Sequence, residues 1–120
     1  MDLNIVELRG KVYSDITIRK SRQKADWVTF TVMTKELTKG DALSSIKPTF
    51  SNICVFESEL VKRVVSMRVK QGDLIWLRGK LFTKAGKGGI IYTSVLVVDF
   101  EILKTPRDVE KEEENNEDNL

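Results

Sequence analysis

Apolar and polar residues alternate with period two along most of the chain, which is the mark of half-buried strands. In "NIVELRGKVY" Val6, Leu8 and Val12 alternate with Glu7, Arg9 and Lys11, predicting a long strand, with Gly10 where such a strand bends or bulges. A short second piece, "DITIR", follows. In "DWVTFTVMT" Val28, Phe30 and Val32 share one face, and Trp27, Thr29, Thr31 and Met33 the other. "TFSNICVF" sends Ile53 and Val55 one way and Phe50, Asn52, Cys54 and Phe56 the opposite way. "DLIWLRGKLFTK" sets Ile75, Leu77 and Leu81 against Trp76, Arg78, Lys80 and Phe82, and "IIYTSVLVVDFEIL" reads as the last strand.

The period changes once. In "SELVKRVVSMRVKQG" the pairs Leu60/Val61 and Val64/Val65 recur at helical spacing, Ser58 is placed to cap the start and Gly72 to end the helix. Two connections carry turn chemistry or charge: "KAGKGG" between the last two strands, and "KELTKGDALSSIK", too long for a tight hairpin and expected to be a mobile basic loop. The resulting order is β-β-β-α-β-β, mostly β with one helix. A first strand long enough to wrap and a helix between strands three and four are what a five-stranded Greek-key barrel of the OB type requires. A ferredoxin-like fold would need a second helix. Pro48 and Pro106 fall at element boundaries, and Pro106 marks the expected end of the fold.

Charge divides the chain. Residues 1–107 hold 19 Lys or Arg against 11 Asp or Glu, net +8, whereas residues 108–120 hold Lys111 against seven acids, net −6, so the overall +2 conceals the asymmetry. The expected organisation is one domain over 1–107 and a disordered acidic tail over 108–120, since a like-charged run without apolar period cannot bury a core. A basic body points to a polyanionic partner. With no His and one Cys, zinc sites, Cys/His pairs and Ser-His-Asp triads are excluded by composition, and the body's acids are scattered singly. The reading is a protein that is not an enzyme and needs no metal or other cofactor. The lone Cys54 forms no internal disulfide and is expected to be an inert surface or groove residue. No signal peptide or long apolar run is seen, so the chain is expected to be soluble, cytoplasmic and free of membrane contact.

The pieces "NIVELRGKV", "WVTFTVMT", "TFSNICVF" running into a helix, "VKQGDLIWLRGKL" and "YTSVLVV" stand in an order and at spacings that resemble the bacterial and phage single-stranded DNA-binding proteins. The resemblance covers residues 3 to 104. It implies an OB fold that binds single-stranded DNA, stacking aromatics at Phe50 and Phe56, and homotetramers in which the strand from Asn4 to Lys11 forms the dimer edge. It further implies a partner-docking tail whose end, Glu117, Asp118 and Leu120, meets replication or recombination proteins. Two positions where other members carry Trp are Thr38 and Gly86 here, and the tail follows the fold directly and ends in Asn119-Leu120. This short form is similar to the phage-encoded members, for which the compartment is the host cytoplasm.

The chemistry such binding needs is simple: aromatic rings for bases to lie on and cations spaced along a groove. Phe50 and Phe56 share a face, expected to lie beside Arg78 and Lys80 of a neighbouring strand; Trp27 and Trp76 are further candidates for stacking, with packing or a subunit contact as the alternative. For phosphate, Arg19, Lys20, Arg22 and Lys24 cluster in one loop, Lys84 and Lys87 flank another, and Lys35 and Lys39 belong to the long basic connection. The expected function is sequence-independent coating and protection of single-stranded DNA in replication, recombination or repair. An OB-fold RNA-binding or primosome-like adaptor is the alternative; a metal-dependent nuclease would require clustered carboxylates.

Overall fold

A computed structural model describes residues 1–36 and 47–105 of the chain. Its elements are β1 (Val6–Val12), β2 (Thr17–Lys20), β3 (Asp26–Thr34), β4 (Thr49–Val55), α1 (Ser58–Ser66), β5 (Leu74–Ala85) and β6 (Ile91–Lys104). They form a single sheet in the order β1-β5-β6-β4-β3-β2, and a further pairing of β1 with β3 closes it into a barrel.

The closure is made by β1 changing partners. It runs antiparallel to β5 from Val6 to Lys11, then passes to β3, with Lys11 opposite Met33 and Val12 opposite Val32. Gly10 sits at the crossing, where a Cβ would overlap the Met33 carbonyl oxygen, so only glycine lets the two backbones approach. The chain then returns to β3 as β2, placing Thr17 to Lys20 opposite Thr29 to Asp26. β1 and the short "DITIR" piece are therefore successive segments laid along one neighbour. Six strands are counted, yet the architecture is the five-stranded barrel expected from the sequence, with its first strand broken in two. The ring is completed by β4 and β6, which run parallel through Ile53/Val95 and Cys54/Leu96.

Period-two alternation sends one face of each strand inward. Val28, Phe30 and Val32, Ile53 and Val55, Ile75 and Leu77, and Val95, Val97 and Phe100 form the buried core, with Leu60, Val61 and Val64 of α1 laid into it. The Arg63 guanidinium lies 4.7 Å from the centre of the Phe100 ring and donates to the Phe100 carbonyl at 3.0 Å, tying the helix to β6.

Three local expectations are corrected. The cap of α1 is Glu57, not Ser58: in an extended conformation, its carboxylate accepts from the Glu59 and Leu60 amides at 3.2 and 3.3 Å. The helix stops at Ser66 rather than running to Gly72, because Arg68 turns left-handed (φ 53°) and the Val69 amide returns to the Val64 carbonyl; Gly72 (φ 97°) serves the turn into β5. Leu81 is exposed although its parity places it with Ile75 and Leu77. Between Arg78 and Gly79 the β5–β6 register shifts, and past it the Leu81 backbone pairs with Val95 and is bonded at both its amide and its carbonyl by the Asn4 side chain.

Candidate nucleic-acid interface

The polar face of β3 and β4 and the far ends of β5 and β6 enclose an open groove of about 710 Å³. Register explains who meets whom. Thr29 of β3 stands opposite Cys54 of β4, Phe82 of β5 opposite Ser94 of β6, Lys84 opposite Tyr92, and Arg19 of β2 opposite Trp27. Phe56, one residue past β4, fills the space between strands: its ring centre lies 5.1 Å from Trp27 and 5.8 Å from Phe82. These are the tilted and edge-on geometries that aromatic quadrupoles favour, and they hold Phe56 in place while leaving it 44% exposed.

Four cations, Arg19, Lys20, Arg22 and Lys84, line the groove, and no carboxylate does so among the described residues. The Lys20 ammonium lies 2.6 Å from the Asp26 carboxylate, but both side chains are about half exposed or more (68% and 48%) and water screens the pair. The floor is neutral and hydrogen-bonding. The Asn52 amide donates to the Ser94 hydroxyl at 2.8 Å, and the Thr29 hydroxyl donates to the Ile53 carbonyl at 2.9 Å. Cys54 is buried in this floor rather than at the surface, and burial pushes its thiol pKa up, against smaller opposing effects of Thr29, Ser94 and Lys84. A thiol so placed stays protonated at neutral pH and is a poor nucleophile.

The structure brings Phe56, Trp27, Arg19, Lys20, Arg22 and Lys84 together in the groove. Phe50 lies farther along the same face of β4, half exposed and edge-on to Tyr13 with ring centres 4.8 Å apart. Lys24, Lys35, Lys80 and Lys87 are exposed but do not line the groove, Lys24 and Lys87 being carried away on the turns at either side. The expected neighbourhood of Phe50, Phe56, Arg78 and Lys80 is corrected, because β6 separates β5 from β4. Arg78 instead donates to Glu7 of β1 at 3.0 Å and lies 5.8 Å from the Trp76 ring centre. Hydrogen bonds from Arg78 and then Trp76 hold the Glu7 carboxyl below its ordinary value, so Trp76 belongs to this β1–β5 patch and not to the groove. Lys39 and the tail residues Glu117, Asp118 and Leu120 lie outside the described residues, as does Pro106. Phe82 and Tyr92 were not among the candidates, though alternation alone points Phe82 outward.

Among the described residues there is no group of three or more His, Cys, Asp or Glu that would hold a metal ion, and no helix is long and apolar enough to cross a membrane.

No curated relative matches the chain. Among solved structures it is similar to a Plasmodium falciparum SSB in complex with ssDNA, at 19% identity and TM-score 0.75, covering 87% of this chain and 97% of that one. It is also similar to Rim1, a mitochondrial single-stranded DNA binding protein of S. cerevisiae, at 18% identity and TM-score 0.67, covering 88% and 98% of the two chains. At those identities the likeness is one of fold. The family model of the single-strand binding proteins matches residues 3–89, across both aromatic groups and the barrel closure, and the chain belongs to the single-strand binding protein family.

Proposed function

We propose that the protein coats and protects single-stranded DNA without regard to sequence, in replication, recombination or repair, by binding and not by catalysis. The observation that carries this reading is the groove itself: a partly exposed aromatic cluster flanked by four cations on the open face of the family's barrel. Bases stack on Phe56 and Trp27, with Phe82 supporting Phe56, and on Phe50 at the far end. The phosphate chain follows Arg19, Lys20 and Arg22 on one wall and Lys84 on the other. Stacking of this kind contributes about 1 to 3 kcal/mol per base and accepts every base, because each has a π-face.

The folded unit is residues 1–107, and the protein assembles as a homotetramer. Pairing across β1 supports that assembly: β5 takes one edge of Val6 to Gly10, the other edge has no partner strand among the described residues, and Leu3 and Ile5 beside it are exposed. The tail at 108–120, net −6 against the +8 body, docks basic replication or recombination proteins through Glu117, Asp118 and Leu120.

Titration with oligo-dT, duplex DNA and single-stranded RNA at two salt concentrations tests the function. The expected result is preference for single-stranded DNA and a marked loss of affinity with salt as bound phosphates release counterions. Equal affinity for duplex would refute it, and equal or tighter binding of RNA would move the protein to the RNA-binding class.

A further inference from the structure

Along β4 itself no ring stands between Phe50 and Phe56, while Phe82 and Tyr92 reach the groove from β5 and β6. Phe50 and Phe56 are six residues apart along β4, roughly 20 Å in an extended strand, and the same face carries only Asn52 and Cys54 between them. Cys54 is buried and Asn52 is exposed, so the middle of the face presents a carboxamide.

That carboxamide is held from two sides. Its Nδ2 donates to Ser94 Oγ of β6 at 2.8 Å, while its Oδ1 lies 3.3 Å from Thr29 Oγ1 of β3. Thr29 has a single hydroxyl proton, and the Ile53 carbonyl at 2.9 Å is the nearer acceptor. Among the described residues one N–H of Asn52 and most of the capacity of Oδ1 are therefore left for a ligand, on a side chain that lines the groove. No carboxylate or cation among the described residues makes a hydrogen bond with it.

A donor beside an acceptor is what the edge of a nucleobase also presents. Adenine offers N6–H next to N1, cytosine N4–H next to N3, guanine N1–H next to O6, and thymine N3–H next to O4; single-stranded bases are open to hydrogen bonding on these edges. We propose that Asn52 hydrogen-bonds the edge of the base lying between the two aromatic ends, and that its paired donor and acceptor let it take any of the four. The groove then holds its middle base by hydrogen bonds and its outer ones by stacking, and stays indifferent to sequence throughout. This rests on the single-stranded DNA reading given above.

The test uses the full chain with Asn52→Ala and Asn52→Asp, titrated against oligo-dT, oligo-dC, oligo-dA and an abasic oligonucleotide of the same length. Asn52→Ala should weaken binding about three- to ten-fold on every base, the loss expected for one or two neutral hydrogen bonds, with an unchanged salt slope and no loss on the abasic strand. Asn52→Asp keeps acceptors only, so it should turn indifference into preference, favouring the amino-bearing cytosine and adenine over thymine by at least about three-fold. The comparison with the abasic strand is made within each variant, so a change in fold stability does not affect it. Equal loss on abasic and normal strands, an altered salt slope or unchanged affinity of Asn52→Ala would each overturn the proposal while leaving single-strand binding intact. Failure of the unsubstituted protein to bind any single strand would instead overturn the functional reading.

Discussion

Replacing Phe56 by alanine separates binding from folding more cleanly than any other change in the groove. The side chain is 44% exposed and does not belong to the core cluster; among the described residues its ring contacts are with Trp27 and Phe82. Losing both ring contacts costs about 1 to 3 kcal/mol of stability, at ~0.5 to 1.5 for each pair. A small domain holds roughly 5 to 15 kcal/mol, so the variant stays folded at 25 °C and its binding is measured on native protein. Binding loses the stacking of one base directly, about 1 to 3 kcal/mol, or roughly 5- to 150-fold in Kd. It also loses the support that keeps Trp27 tilted toward the groove, so the effect should fall in the upper part of that range. Tryptophan fluorescence reads the titration with oligo-dT: Trp27 lies in the groove and should be quenched, whereas Trp76 sits on the β1–β5 patch and should not. A melting curve of the free protein supplies the control. Affinity within two-fold of the unsubstituted protein would refute stacking on Phe56, and loss of the cooperative transition would show that the ring is part of the core after all.

Three further outcomes are expected. Glu57→Ala should lower stability in urea by about 1 kcal/mol as the first-turn amides of α1 lose their acceptor, whereas Ser58→Ala should change it by only a few tenths. On the opposite patch, Arg78 holds the Glu7 pKa below 4.5, so this pair stabilises the fold above the ordinary carboxylate pKa and ceases to do so as pH falls through the lowered one. Glu7→Gln should remove that part of the acid-side fall in melting temperature. Arg78→Ala should leave the salt slope for oligo-dT unchanged, where Lys84→Ala should reduce it by about one; the reverse result would place the phosphate path over the β1–β5 patch.

How far the sequence can be read depends on what alternation encodes. A period of two assigns each residue to a face, and nearly every inward assignment, from Val28 to Leu77, is buried in the structure. The same logic turned Phe56 and Trp27 outward, where they meet. It does not encode which strands are neighbours, and that is where the sequence reading of the site was incomplete. Arg78 and Lys84 share one face of one strand and one charge, so nothing in their spacing distinguishes them. The first faces Glu7 of β1, 71 residues away, and is neutralised; the second lies where β5 has outrun β1 and instead faces Tyr92 of β6 and the open groove. Phe82 and Tyr92 were missed for the same reason, since their value depends on β6 pairing in parallel with β4 across the barrel. The capping residue was misplaced by one position because serine is the commoner cap, and only the extended backbone at Glu57 shows where the helix begins. A cation therefore contributes to the groove only if the strand beside it stops short of it, and here it is the start of β1 at Val6, opposite Gly79, that leaves Lys84 beyond its reach and Arg78 paired.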